Sequence, residues 1–184
     1  MKDLIKRNLN SKRVILLFVL TNIIYVIMLG ITIPKVMSFS GGMKLLDMLP
    51  TGYTAEYVNS LLSALGENGR DAYLFNQLPV DMIYPFLFGV SYCLILAYIL
   101  NKLGKFESRL FYFCFLPLFS GLFDYLENIG IIAMLKSYPN NPVILSQITN
   151  VFSVMKSTFT TFYFIVLIIF IVMFGMNKLF QKSR

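Results

Sequence analysis

Four stretches of the chain are long, apolar and nearly free of charge, near Val14–Ile33, Pro79–Leu100, Leu110–Leu135 and Thr158–Met176. A helix needs about 20 apolar residues to cross a hydrocarbon core, and each stretch is about that long. The pattern therefore predicts an all-α integral membrane protein, a four-helix bundle forming a single domain over 1–184. Between the first two stretches, residues 34–78 form one long outer segment. There Tyr57, Val58, Leu61, Leu62 and Leu65 recur at helical spacing and predict an amphipathic helix, with Thr54 as its N-cap and Gly66 as its stop. Two roles suit it: lying on the outer surface over the bundle or headgroups, or forming a lid above a site. A shorter surface helix is expected over Ile144 to Val154. Pro34 is expected to end the first span, and Pro85 to kink the second.

The polar positions inside these stretches are the more informative ones. In the third, Phe123-Asp-Tyr-Leu-Glu-Asn-Ile-Gly130 places Asp124, Glu127 and Asn128 on one helical face. Pro117, Ser120 and Gly121 continue that stripe, and small residues there allow a neighbouring helix to approach. At about 1.5 Å per residue from Leu110, Asp124 lies roughly 21 Å along the helix and Glu127 roughly 25 Å. Both fall in the outer half of the membrane. An ionised carboxylate at such depth costs a few kcal/mol unless it is paired, hydrated or protonated. Asp81 opens the second span, where the helix dipole favours an acid, and shares a face with Tyr84, Phe88 and Tyr92. Asn22 is expected to hydrogen-bond between helices. Lys156, Thr160 and Thr161 open the fourth span, and Arg70 precedes the second with a side chain long enough to reach inward.

Composition agrees with the membrane reading: 57% of the 184 residues are hydrophobic and only 14% charged, with 18 Phe and 11 Tyr. The net charge is +7, and its distribution carries the meaning. Eleven of the 16 basic residues sit before span one, between spans two and three, or after span four. The positive-inside rule then places both termini in the cytoplasm and the 34–78 segment outside. No basic-aromatic groove accompanies the charge, so nucleic acid is not an expected partner. The N-terminus, a charged start and then an apolar run as long as a span, reads as a retained signal anchor. The Lys-, Asn-, Ile- and Phe-rich usage suggests an AT-rich bacterial source and hence a plasma membrane.

The chemistry classes narrow by elimination. There is no His, and the two cysteines, Cys93 and Cys114, fall on different spans without a Cys-x-x-Cys pair. Zinc, copper and haem ligation, and thiol-disulfide exchange, are not expected. No cofactor or metal is expected, and no serine-nucleophile motif or inverted repeat is found. What remains is a polar site on the outer side, with Arg70, Asp81, Tyr84, Asp124, Glu127, Asn128 and Lys156 as candidate ligand contacts. Asp124 and Glu127 are also the candidate catalytic acids. One alternative pairs these acids with Arg70 or Lys156 for structure alone; the other leaves a carboxylate free for a ligand or a proton.

Tyr53-Thr-x-Glu56, Leu65-Gly66-x-x-Gly69-Arg70-x-x-Tyr73, Asp81-x-x-Tyr84-Pro85 and Phe123-Asp124-Tyr-Leu-Glu127-Asn128 together resemble a family of uncharacterised bacterial four-span membrane proteins. That resemblance covers the outer helix through span three and implies the topology, not an activity. More distantly, the topology is similar to emopamil-binding and sigma-2-type proteins, which have four or five spans and intramembrane acids. Some of those isomerise sterols with acids and a His. This chain has no His, and no residue role is carried over. Four functions are thus open: a binding protein for a membrane lipid or amphipathic small molecule, a lipid-modifying enzyme using the Asp/Glu pair, an accessory subunit of a membrane complex or homo-oligomer, and a small proton-coupled exporter.

Overall fold

A computed structural model describes residues 2–182, so Arg184, one of the C-terminal basic residues, lies outside the described part. The described residues are all helical apart from connections, with no strand among them. Four helical runs are long and apolar enough to cross a membrane: Ser11–Met37, Ala55–Lys102, Arg109–Ser137 and Val143–Asn177. They pack in chain order, the second against the first, the third against the second, and the fourth against the third and second. The first and fourth close no such interface with each other, which leaves a groove between them.

The runs are longer than the apolar stretches suggest, because the elements between them are helical too. α1 (Lys2–Arg7) and α2 (Ser11–Ile27) come first. A π-helical turn, Met28–Thr32, then leads into α3 (Ile33–Met37). α4 (Ala55–Ala72) continues through a second π turn, Tyr73–Gln77, into α5 (Leu78–Asp81) and, after two turn residues, α6 (Tyr84–Lys102). The third run starts as a 3-10 helix, Arg109–Phe115, and becomes α7 (Leu116–Ser137). The fourth is one helix, α8 (Val143–Lys182). The expected separate surface helix at 144–154 is thus the first part of α8. At 40 residues, α8 is about 60 Å long, roughly twice a hydrocarbon core.

Proline explains where these runs are irregular. It lacks the N–H that would bond four residues back, and its ring crowds that carbonyl. Pro34 follows the first π turn, Pro79 the second, Pro85 the break at Met82–Ile83, and Pro117 the 3-10 segment. Pro34 therefore does not end the first span; it widens the helix one turn earlier.

The helix α4 covers the bundle. Val58, Leu61 and Leu62 are fully buried and Leu65 nearly so, in a core shared with Val36, Leu45, Ile131 and Met134. Burying each such side chain contributes about 1.5–3 kcal/mol where water is the alternative. Gly66 breaks this helix at φ 60°, ψ −173°, a backbone state open to glycine. The predicted stop is real, but the chain resumes as helix directly afterwards. Close approaches tighten the rest. A side chain at Gly121 would stand 2.7 Å from the Pro85 carbonyl oxygen, and one at Gly130 would overlap Thr149. Both positions require glycine for α7 to reach its neighbours. At the end carrying the N-terminus, Lys2 and Lys6 pair with exposed Glu107, fixing α1 against the 102–109 connection. The Lys2 hydrogen bond leads the causes that hold the Glu107 carboxyl below its ordinary value.

Candidate functional site

The irregular turns converge on one place. A cavity of about 440 Å³ opens between the first and fourth runs, at the level of the π turn in the first and the break before Pro85 in the second. Asp47, Asp81, Asp124 and Lys156 provide its charged lining, and Tyr25, Tyr84 and Phe88 an aromatic wall. Its size falls in the usual range for small-molecule sites.

Each charged group arrives by a different local device. The 3-10 turn Leu46–Met48, anchored by fully buried Leu45 and Leu46, carries Asp47 over the bundle. Asp81 is the last residue of α5, just before the break that Pro85 imposes. As expected it stands in a helix's first turn, the single turn of α5, three residues before α6 begins, and its side chain makes no capping hydrogen bond to either helix. Gly121 lets α7 press against the Pro85 carbonyl, which brings Asp124 to the cavity.

Lys156 is the centre of an ion cluster. Its Nζ donates to Asp124 Oδ1 at 3.3 Å and pairs with Glu127 Oε2. The side chains are 16%, 10% and 0% exposed for Lys156, Asp124 and Glu127, so water screens this cluster little. Behind it, Glu127 Oε1 and both amide atoms of Asn128 are buried without a hydrogen-bond partner among the described residues. Ser120 Oγ meets the Lys156 carbonyl at 3.3 Å and Thr160 Oγ1 at 2.6 Å, continuing the polar seam between α7 and α8.

Asp81 differs from the other acids. It is 3% exposed and lines the cavity, yet it makes no hydrogen bond or ion pair among the described residues. Asp47 is held only by neutral groups: Tyr73 Oη donates at 2.8 Å and Gln77 Nε2 at 3.3 Å. Thr32 Oγ1 in turn donates to Gln77 Oε1. Among the described residues, four acids thus stand in or behind the cavity wall against one cation, which pairs with two of them.

Of the residues singled out by sequence, the structure brings Asp81, Tyr84, Asp124 and Lys156 to the cavity wall and sets Glu127 and Asn128 just behind it. Arg70 is placed elsewhere. Its Nη1 donates to the Leu62 carbonyl at 2.9 Å, a group released by the helix break at Gly66, and its guanidinium lies 4.3 Å from the Tyr138 ring centre. It pairs with neither Asp124 nor Glu127. No α4 residue lines the cavity, whereas Asp47, Met48 and Pro50 of the preceding segment do. Asn22 donates its amide to the Phe18 carbonyl in its own helix and also hydrogen-bonds Tyr92 of the second run, the expected crossing; Thr21 makes another, to the Leu87 carbonyl at 3.2 Å. Sequence reasoning missed Asp47, Tyr73 and Gln77. A signal existed for the last two, which stand four apart on one helical face just before Pro79.

A second space lies in the same groove, toward the end that carries the N-terminus. It too measures about 440 Å³, and it is almost wholly apolar, lined by Val14, Phe18, Tyr92, Ile95, Phe164 and Leu167 among others. An aromatic ladder joins the two spaces. Tyr25 stacks on Tyr84 at 5.5 Å, Tyr84 reaches Phe88 at 5.7 Å, and Phe88 reaches Tyr92 at 4.7 Å. Tyr92 then meets Phe164 at 5.6 Å and Phe18 at 6.0 Å. No family model, curated protein or solved structure matches the chain.

Proposed function

We propose that this protein binds a lipid or other amphipathic small molecule, with the polar head in the cavity around Asp81, Asp124 and Lys156. One observation carries the reading: a charged cavity and an apolar space both lie between the first and fourth runs, with the rings of Tyr84, Phe88 and Tyr92 running from one to the other. A molecule with one polar and one apolar end matches that sequence of surfaces. The distribution of basic residues supports a multi-pass plasma-membrane protein with both termini inside, so that the cavity belongs to the outer half.

The enzymatic alternative assigns general acid and base work to Asp124 and Glu127. Both are engaged by Lys156, which favours binding over proton transfer at that pair. The test is mass spectrometry of small molecules that co-purify with wild type and with Ser157→Trp. Ser157 lines the cavity and bears no charge, so an indole there fills space while every acid stays in place. A molecule enriched in wild type and lost from Ser157→Trp supports the reading. Equal bulk lipid in both samples overturns it.

A further inference from the structure

Resting on that reading, we infer that the bound head is a cation, an ammonium group, and that a single alkyl chain attached to it lies in the apolar groove beside Tyr92 and Phe164. Three separate features of the cavity lead there.

The first is charge. Among the described residues Asp47, Asp81 and Asp124 line the cavity with Lys156 as its one cation, and Glu127 pairs with that cation from behind the wall. Lys156 is committed to Asp124 and Glu127, while Asp47 receives only neutral donors. An anionic head entering this cavity would meet three carboxylates at its walls. A cation meets complementary charge. The second feature is Asp81 itself, a buried acid lining the cavity that makes no hydrogen bond or ion pair among the described residues and feels Lys156 only at longer range. Buried charges are ordinarily paired, so a cation in the cavity would supply the partner that the charged form of Asp81 requires. The third is the aromatic lining. Tyr25, Tyr84 and Phe88 border the same space, and an ammonium beside aromatic rings is stabilised by their quadrupoles. A carboxylate and aromatic rings on one cavity select for an alkylated ammonium over a hydrated inorganic cation.

The alkyl chain follows from the side chains that lie between the two spaces. The ladder Tyr84, Phe88, Tyr92 runs down one face of α6 from the cavity to the apolar groove, eight residues or about 12 Å. Below it, Val14, Phe18, Ile95, Leu167 and Ile171 offer only hydrocarbon. A chain of about a dozen carbons spans that distance.

The test is saturable binding of dodecyltrimethylammonium to the purified protein, with dodecyl phosphate, dodecyl maltoside and tetramethylammonium as competitors. The expected order is a cationic amphiphile at least about tenfold tighter than any competitor, and at least about tenfold weaker in Asp81→Asn. Protection of the Cys93 and Cys114 thiols, both buried in the folded protein, checks that the variant is intact. If Asp81→Asn exposes those thiols, the wild-type order of heads decides alone. Equal binding of dodecyl phosphate or the maltoside, unchanged by Asp81→Asn, overturns the cation assignment and leaves an amphiphile site standing. Tetramethylammonium binding as tightly as the alkylated form overturns the chain assignment. Absence of saturable binding by all four overturns both this inference and the reading it rests on.

Discussion

Replacing Lys156 with Met removes the one cation from the cluster while keeping a side chain of similar length. Asp124 and Glu127 are then left buried, at 10% and 0% exposure, with no counter-charge. Removing one partner of a buried ion pair costs about 3–5 kcal/mol, chiefly the desolvation of the charge left behind. Here two acids lose the same partner, so the upper part of that range applies. For a chain of this size each kcal/mol moves the melting temperature by about 2–4 °C, so about 4–5 kcal/mol gives a fall of roughly 8–20 °C. Cys93 and Cys114 are free and buried, so a thiol-reactive fluorescent maleimide reports unfolding in detergent. Glu127→Gln in the Lys156→Met background removes one orphaned charge and is expected to recover part of the loss. A fall of less than about 2 °C for Lys156→Met, under one kcal/mol on that scale, refutes the argument that the cluster is tightly desolvated.

Further consequences follow from packing and from the second polar chain. Gly121→Ala places a methyl 2.7 Å from the Pro85 oxygen, and Gly130→Ala one onto Thr149, so each is expected to destabilise by about 1–3 kcal/mol. Gly175→Ala, with open space around it, serves as the control in the same melting assay. Gln77→Leu removes a donor to Asp47 and the acceptor of Thr32, with an expected loss of about 1–3 kcal/mol. The Glu107 carboxyl is held below its ordinary value by Lys2, so its contribution to docking α1 is complete above the unfolded value of 4.5 and lost as pH falls through the lowered one. Proteolysis of the N-terminal segment is therefore expected to accelerate in strong acid and in Glu107→Gln at neutral pH. No acceleration in Glu107→Gln would show that the pairs with Lys2 and Lys6 do not hold α1.

Much of this architecture was legible in the sequence because its determinants are local. The four apolar runs, the buried face of α4 and the polar stripe of α7 are all periodicities within one helix. The residues that fell into place at the cavity, Asp81, Tyr84, Asp124 and Lys156, announced themselves as polar groups interrupting apolar runs. What the sequence left hidden depends on distance along the chain. Asp47 meets Tyr73 and Gln77 across 26 and 30 positions, and nothing local in the Leu45–Pro50 turn reveals that it folds over the bundle. Arg70 reads as a cation reaching inward until the break at Gly66 supplies the Leu62 carbonyl it bonds. The groove is invisible for the same reason: it depends on two helices, α2 and α8, failing to meet. Proline signalled irregularity at each site, but only the fold decides between a π turn, a break and a 3-10 segment.

The structure also changes which variant is worth making. Neutralising Asp124 and Glu127 together strands Lys156 as an unpaired buried cation, so loss of a ligand and loss of fold would be confounded. Asp81 and Ser157 carry no ion pair in the described structure and separate the two.

The measurement that bears most directly on the account is photolabelling by an alkylammonium with a diazirine near the end of its chain, followed by peptide mapping. The account predicts saturable adducts confined to the groove, on the segments around Val14–Phe18 and Phe164–Ile171, competed by the unlabelled alkylammonium and abolished in Ser157→Trp. Labelling spread evenly over exposed apolar faces such as Phe86, Leu122 and Ile129, with no competition, would contradict it.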